Sequence, residues 1–298
     1  MSLLSLPGLV LTACNPETPV GPEGSARDTL RVLSFNIRYD NPEDGPDAWP
    51  HRKEAVADMI RSQAVDVAGL QEALKRQIDD LEALLPDYAW LGVGREDGME
   101  QGEFAPIFYR RDRLDTLRWG TFWLSETPDI PGSRSWDAAL ERIATWAVLR
   151  DRQTSEAFLA VNTHFDHRGA EARTRSAELI VERLDELATA QSGEQGDEGT
   201  GSLPVLLTGD FNVREGSAPY AVLADAFSDA LYASEQPHEG PMSTWNGFEA
   251  IVPGGRIDYI FVGDGVRVYA HRILPDKTAN DRFPSDHLPV LAEIGFGK

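Results

Sequence analysis

The chain has 298 residues, of which 41% are apolar, and its formal net charge is −21 at pH 7. This length and composition suit one large α/β domain or two smaller ones. The sequence contains no run of about eighteen apolar residues, so it predicts no ordinary transmembrane helix. The negative charge opposes general binding to nucleic-acid phosphates, although a bound divalent cation can reverse its sign locally.

The N-terminal segment contains the single cysteine, Cys14, which excludes an internal disulfide and any multi-cysteine metal site. Cys14 closes the apolar run "LLSLPGLVLTAC", and the polar stretch "NPETPVGPEGSARD" follows it. The pattern resembles a bacterial lipoprotein signal, in which the cysteine carries a lipid that anchors the protein outside the cytoplasm. The alternative interpretation of this segment is an N-terminal tail that contains a cysteine by chance. The alternative to a lipid-anchored protein is a secreted or periplasmic one. In either case residues 1–28 are expected to lie outside the fold and residues 29–298 to form a single domain.

From Thr29 onward, short apolar runs alternate with helical patterns. Apolar positions at i, i+3 and i+4 predict helices in "HRKEAVADMIRSQ" and over residues 171–190. The stretch 191–202 has no apolar side chain and is predicted to be a surface loop between a helix and a strand. Two strand-and-helix halves favour an α/β fold with two packed sheets and helices outside. The predicted strands are "LRVLSFNI", "VDVAGLQE", "FAPIFYRR", "LRWGTFWLS", "IATWAVLRD", "FLAVNTHFD", "PVLLTGDFN", "RIDYIFVGD" and "LPVLAEIGF".

Polar side chains stand at the ends of several of these strands or at the entry to one. A single such residue means little, because Asp and Asn commonly terminate strands. Ligand sites in packed α/β sheets nevertheless gather at strand ends, so six such segments predict one shared pocket. The residues are Asn36, Glu72, Asn162, His164, Asp210, Asn212, Asp258, Asp286 and His287.

The carboxylates and amides among these residues fit a site for a hard divalent cation. Mg²⁺ prefers oxygen ligands, keeps several waters and often takes only one or two protein carboxylates. Glu72 and Asp286 are therefore the expected ligand pair, with Asn36 as a neutral neighbour. Such an ion would serve metal-assisted hydrolysis of a phosphate ester.

The imidazoles fit the phosphate side of the same chemistry. An imidazole needs a carboxylate that fixes its tautomer and stabilises its charged form, and Asp258 is expected to do this for His287. His164 and Asn212 are expected to donate hydrogen bonds to the phosphate oxygens as charge develops there.

The ordered set "LSFNIRYD", "GLQEAL", "VNTHFDH", "LTGDFN", "RIDYIFV" and "PSDHLPV" resembles the endonuclease/exonuclease/phosphatase superfamily. The resemblance spans about residues 30–296 and is strongest to a secreted bacterial branch related to the CCR4/nocturnin-like enzymes. It implies a DNase I-like, four-layer α/β sandwich that forms a single catalytic domain. It also implies a divalent cation, usually Mg²⁺ with Mn²⁺ as a substitute.

The resemblance further implies a role for each motif residue. Glu72 would be the principal metal ligand, helped by Asn36 and Asp286. The pair Asp210 and Asn212 would orient the attacking water and the phosphate.

The same resemblance implies that His164, and His287 paired with Asp258, contact the scissile phosphate. The general base remains open between Asp210 and the His287–Asp258 pair.

Three neighbouring residues have two interpretations each. "HFDH" also ends a dinuclear zinc signature, but that signature needs a further His where Asn162 stands, so zinc is not favoured. Asp166 and His167 are either neighbours of the site or residues that stabilise a loop. Arg142 either contacts the substrate phosphate as a guanidinium fork or forms a surface ion pair.

These observations predict a Mg²⁺-dependent phosphodiesterase or phosphatase that acts outside the cytoplasm by attack of an activated water on phosphorus. The substrate would be a small phosphoester, a lipid head group or nucleic acid, and nothing in the sequence implies a protein partner. A nuclease of the same superfamily is the alternative enzyme. A non-catalytic, surface-anchored binding protein is the alternative from another class.

Overall fold

The computed structural model describes residues 28–189 and 202–297. Cys14 and nearly all of the predicted signal segment and of the predicted loop at 191–202 lie outside the described residues. Across the part of the chain that is described, no helix is both long enough and apolar enough to cross a membrane.

The described residues form two six-stranded mixed sheets and five α-helices. The strands are β1 (Leu30–Asn36), β2 (Val67–Gln71), β3 (Tyr88–Leu91), β4 (Ile107–Arg110), β5 (Leu114–Trp123), β6 (Ile143–Asp151), β7 (Ala157–His164), β8 (Val205–Asp210), β9 (Ser228–Asp229), β10 (Asp258–Val262), β11 (Val266–Ile273) and β12 (Val290–Phe296). The helices are α1 (Lys53–Ser62), α2 (Lys75–Leu84), α3 (Ala170–Thr189), α4 (Ala218–Ala226) and α5 (Ala230–Ala233). Short 3-10 segments cover Pro42–Asp47 and Trp49–His51.

The strand order is β11-β12-β1-β2-β4-β3 in the first sheet and β5-β6-β7-β8-β10-β9 in the second. Each sheet has one parallel pair at its centre, β1 with β2 and β7 with β8, while its other strand pairs are antiparallel. The parallel pairs place the carboxyl ends of neighbouring strands at one edge of each sheet, which is where ligand sites form in such folds.

Three apolar clusters separate four layers. Val32, Val67, Ala160, Leu206 and Ile260 belong to the core that the two sheets share. A second cluster joins α1 and α2 to the outer face of the first sheet, and a third joins α3 and α4 to the outer face of the second. The predicted four-layer α/β sandwich is therefore confirmed.

The predicted helix over 171–190 is α3, and the nine predicted strands are all present, β6 with the predicted ends and the other eight with shifted ends. The sequence did not single out β3, β9 or β11. β3 has only four residues, three of them half-buried. In β11 a register shift between Val268 and Ala270 interrupts the alternation of buried and exposed side chains that would have indicated a strand.

The two sheets approach each other closely beneath the strand ends. A Cβ atom added to Gly69 in β2 would lie 2.0 Å from Thr208 Oγ1 in β8, so only glycine fits there. Asn162 fills the adjoining space: its Nδ2 donates to Leu70 O at 2.6 Å, and its Oδ1 accepts from Gln71 Nε2 at 2.6 Å. Asn162 is thus part of a polar layer that joins the sheets.

Candidate active site

Strand register brings the predicted polar residues together at one end of the sandwich. His164 lies beside Asp210 in the parallel β7–β8 pair, and Asp210 lies opposite Asp258 in the antiparallel β8–β10 pair. In the facing sheet Asn36 ends β1, and Glu72 directly follows β2. Asn36 Nδ2 donates to Glu72 Oε1 at 3.0 Å and to Asp210 Oδ2 at 2.9 Å. One amide group therefore links the acidic groups of the two sheets.

Two of these residues adopt left-handed backbone conformations. Glu72 has φ 61° and Asn212 has φ 51°, values that are uncommon for residues other than glycine and carry a conformational cost. Hydrogen bonds hold both residues: Tyr39 N donates to Glu72 Oε2 at 3.1 Å, and Asn212 N donates to Asp210 Oδ1 at 2.9 Å. The turns direct both side chains back into the site.

The predicted pair of His287 and Asp258 is confirmed as a contact. His287 Nδ1 lies 2.9 Å from Asp258 Oδ2, and His287 Nε2 lies 3.8 Å from Asp210 Oδ2. Burial opposes the charged form of this imidazole, but the carboxylates of Asp258 and Asp210 hold the pKa of His287 well above its ordinary value. The edge-to-face contact with Trp245, at 4.8 Å between ring centres, fixes the ring plane. His287 is therefore an oriented imidazolium.

His164 has the opposite electrostatic character. Burial, and then the charges of Arg142 and Arg95, lower its pKa well below the ordinary value, so the ring is neutral. Asn212 Nδ2 lies 3.1 Å from His164 Nε2 and also donates to Phe165 O at 3.1 Å. Because an amide nitrogen can only donate, Nε2 accepts and the ring proton lies on Nδ1.

Asp210 lies at the centre of the cluster. Its Oδ2 is 3.5 Å from His164 Nε2, and burial followed by the nearby charge of Asp258 raises the pKa of Asp210 to about 7. A carboxyl group with a pKa near neutrality can exchange a proton at physiological pH. Asp210 is therefore suited to general acid–base chemistry.

Asp286 lies on the Glu72 side of the site. Burial and the charge of Glu72 raise its pKa, against the opposing effects of His287, Arg38 and Arg52. Arg38 Nε lies 3.9 Å from Asp286 Oδ2, and Ser285 Oγ donates to Asp286 Oδ1 at 3.2 Å. The adjacent side chains therefore have different partners: Asp286 contacts Arg38 and Ser285, and His287 contacts Asp258.

Arg142 is buried, at 5% exposure, so a surface ion pair is excluded. Its Nη2 lies 3.1 Å from His167 Nδ1, and its Nε lies 3.7 Å from Asp166 Oδ2. Among the described residues, neither Nε nor Nη1 of Arg142 has a hydrogen-bond partner. A buried guanidinium with donors to spare is the kind of group that binds an anion.

Asp166 has the loop-stabilising role that the sequence left open. Its Oδ1 accepts from the backbone N–H groups of Arg168 and Gly169 at 2.8 and 2.7 Å, directly before α3. Its Oδ2 accepts from Ala139 N at 3.0 Å. These bonds tie the loop after β7 to the segment that precedes Arg142.

Glu103 and Arg95 lie beside His164, on the same side of the site as Arg142, and the sequence did not predict either of them. Arg95 Nη1 lies 2.7 Å from Glu103 Oε2, and that oxygen is 3.9 Å from His164 Nδ1. Both residues lie in the irregular segment between β3 and β4. Because neither follows a predicted strand, no strand-end pattern could identify them.

The donor set fits a divalent cation with oxygen ligands. Ligand atoms of Glu72, His164 and Asp210 all lie within 4.8 Å of one another, and this group shares Glu72 with the predicted ligands but does not include Asp286. Burial first, and then the charge of a neighbouring carboxylate, raises the pKa values of Asp210 and Asp286. A divalent cation bound to Glu72 and its neighbours would relieve this repulsion, and hard oxygen donors suit Mg²⁺ or Mn²⁺.

Comparison with known proteins places this arrangement in a family. Residues 33–287 match the model of the "Endonuclease/Exonuclease/phosphatase family". A solved endonuclease/exonuclease/phosphatase from Bacteroides vulgatus is 41% identical, with a TM-score of 0.81, over 90% of this chain and 99% of that one. The mannosyl-6-phosphatase Bt3783 of Bacteroides thetaiotaomicron is 36% identical, with a TM-score of 0.81, over 90% of this chain and all of that one.

Curated relatives are more distant and longer. The CCR4-Not complex 3'-5'-exoribonuclease subunit Ccr4 of Saccharomyces cerevisiae is 22% identical over 92% of this chain and 39% of its own length. Nocturnin of Drosophila melanogaster is 23% identical over 90% of this chain and 47% of its own length. The chain therefore spans less than half the length of these two curated relatives.

Proposed function

The chain belongs to the endonuclease/exonuclease/phosphatase family, and from this premise we propose that it hydrolyses phosphoester bonds with the help of a divalent cation, Mg²⁺ or Mn²⁺. The observation that carries the proposal is the contact between Asn36, Glu72 and Asp210 beside the His287–Asp258 pair. Carboxylates for an ion and an oriented imidazolium for a phosphate lie within one buried cluster.

Glu72, Asn36 and Asp286 are the residues that would hold the ion. The ion, when bound, supplies Lewis-acid polarisation of a phosphoryl oxygen and charge neutralisation. The positive φ of Glu72 and the hydrogen bond from Tyr39 N fix the carboxylate in place before the ion binds. Binding therefore costs little conformational entropy at this side chain.

We assign the proton transfers from the electrostatics of the two central residues. Asp210, with a pKa of about 7, accepts the proton of the attacking water, while Asn212 orients the water and the phosphate. His287, kept as an imidazolium by Asp258, donates its Nε2 proton to the bridging ester oxygen as the bond from that oxygen to phosphorus breaks, so that the alcohol leaves as a neutral molecule. Of the two candidate general bases, we therefore propose Asp210, with His287 as the proton donor.

A phosphomonoester is the substrate class that best fits the side of the site formed by Arg142 and Arg95. A monoester dianion has one more free oxygen than a diester, and the two donors of Arg142 without hydrogen-bond partners, together with Arg95, provide positive charge beside His164. The similar protein from Bacteroides thetaiotaomicron is described as a phosphatase of a sugar phosphate. The net charge of −21 also opposes a long nucleic acid.

A nuclease is the second candidate, because the relatives Ccr4 and nocturnin align along about nine-tenths of this chain. A panel of p-nitrophenyl phosphate, bis-p-nitrophenyl phosphate, mannose 6-phosphate and a single-stranded oligonucleotide, each with Mg²⁺ and with EDTA, separates the candidates. We expect metal-dependent release of phosphate from the monoesters. Preferential cleavage of the oligonucleotide would favour the nuclease, and no hydrolysis of any substrate would favour a binding protein.

We also propose that the protein acts outside the cytoplasm, held at a membrane by a lipid on Cys14. The support is the run "LLSLPGLVLTAC" followed by a polar linker. Membrane fractionation of cells that express the wild type or Cys14→Ser tests this location. We expect the substitution to move the protein into the soluble fraction, and an unchanged distribution would contradict the anchor.

A further inference from the structure

Arg52 is a buried cation beneath the candidate active site, and its exposure is only 3%. It lies between the 3-10 segment Trp49–His51 and α1. Its guanidinium carbon is 5.1 Å from the ring centre of Trp49 and 5.7 Å from that of Phe248. Burial lowers its pKa to about 10, so the group remains charged at neutral pH.

The guanidinium donates all its hydrogen bonds to backbone carbonyl groups, and these belong to separate segments. Nη1 donates to Ile37 O and, at 3.3 Å, to Pro284 O. Nη2 donates to Arg38 O at 2.6 Å. Nε donates to Asp47 O at 2.8 Å. One planar group therefore joins the exit of β1 to Pro284, which is 232 residues from Arg52 along the chain.

Each of these segments carries one side of the site. The β1 exit holds Glu72, because Tyr39 N donates to its carboxylate. The other segment leads from Pro284 directly into Asp286 and His287. A second hydrogen bond, from Ser285 Oγ to Asn36 O at 2.7 Å, also joins the β1 exit to the segment that begins at Pro284, and we call this contact region the junction. The relative position of the Glu72 and Asp286 carboxylates thus depends on this junction.

We propose that Arg52 is a positioning residue, which aligns the Glu72 side of the ion site with the segment of Asp286 and His287. It contacts neither group directly and acts through the carbonyls that it binds. A lysine keeps the charge, but its single nitrogen cannot reproduce the planar fork. Because misplacement by about 1 Å can cost about 100-fold in rate, loss of the fork should reduce catalysis even where the charge remains. This inference rests on the proposed function.

The experiment compares Arg52→Lys and Arg52→Met with the wild type and with Arg113→Lys. Arg113 is a matched control, because it is also buried but binds Asp66 and Asp151 at the opposite end of β2 from Glu72. Circular dichroism and thermal melting report folding. Electron paramagnetic resonance measures Mn²⁺ affinity without reference to turnover, and steady-state kinetics at saturating Mg²⁺ separates kcat from KM.

In both Arg52 variants the affinity for Mn²⁺ and kcat should each fall by about tenfold or more, and KM should change less. Arg113→Lys should lower only the melting temperature. If Arg52→Lys keeps wild-type Mn²⁺ affinity and kcat, the inference is wrong. If Arg52→Met fails to fold, Arg52→Lys decides. If the wild type binds Mn²⁺ but hydrolyses no phosphoester, the proposed function fails, while the difference in Mn²⁺ affinity still tests the positioning role.

Discussion

Asp258→Asn tests the division of roles between the two central residues. Asp258 Oδ2 accepts from His287 Nδ1 at 2.9 Å, while Asp258 Oδ1 is buried without a hydrogen-bond partner among the described residues. Asparagine can therefore keep an oxygen on Nδ1 and place its amide nitrogen on the other side. The ring keeps its orientation but loses the charge that stabilises the imidazolium. A buried hydrogen bond to a charged group contributes about 1.5–3 kcal/mol, which corresponds to a loss in kcat of about tenfold to 150-fold.

The pH dependence gives the sharper result. The charge of Asp258 raises the pKa of His287, so the donor form persists to high pH in the wild type. Without that charge, burial lowers the pKa, and the alkaline limb of kcat should move to lower pH. Phosphate release from p-nitrophenyl phosphate between about pH 5 and pH 10 measures both effects, with Asp151→Asn as a buried control outside the site. An unchanged alkaline limb with unchanged kcat would refute the assignment.

Three further changes test other parts of the molecule. Glu72→Gln should weaken Mn²⁺ binding by about tenfold or more, because a hard anionic ligand is lost; calorimetric titration measures this, and wild-type affinity would remove Glu72 from the ion site. Arg142→Met should raise KM for a monoester by about tenfold and change KM for a diester less; equal changes in the two steady-state KM values would contradict the monoester assignment. Burial lowers the pKa of His271 to about 3, so the unfolded state binds more protons below about pH 6.5 and stability falls as the pH falls. Denaturant titrations from about pH 6 to pH 4 measure the free energy of unfolding of the wild type and of His271→Asn. Over this range it should fall less steeply in the variant, by up to about 1.4 kcal/mol per pH unit. An identical slope in both proteins would contradict this prediction.

The strand ends were predictable from the sequence because apolar runs terminate at chemically capable residues. Asn36, Asp210 and Asp258 each end or begin a strand whose pattern is clear, and the convergence of such residues follows from sheet architecture. The pairing of His287 with Asp258 could be expected for the same reason, since an imidazole in this setting needs a carboxylate.

Residues that act through irregular segments could not be predicted in this way. The segment from Arg38 to Arg52 is acidic and rich in proline, yet Trp49 and Arg52 are buried in it. The fork of Arg52 depends on carbonyl groups brought together by long-range packing, and a sequence carries no local pattern for such a contact. Glu103 and Arg95 were missed for the same physical reason.

Hydrolysis in ¹⁸O-labelled water tests the central claim most directly. The wild type and Glu72→Gln are incubated with p-nitrophenyl phosphate and Mg²⁺, and mass spectrometry locates the label. Attack of water on phosphorus at this site predicts one ¹⁸O atom in the phosphate released by the wild type and little product from Glu72→Gln. Label in the p-nitrophenol, or equal hydrolysis by both proteins with and without EDTA, would contradict the claim.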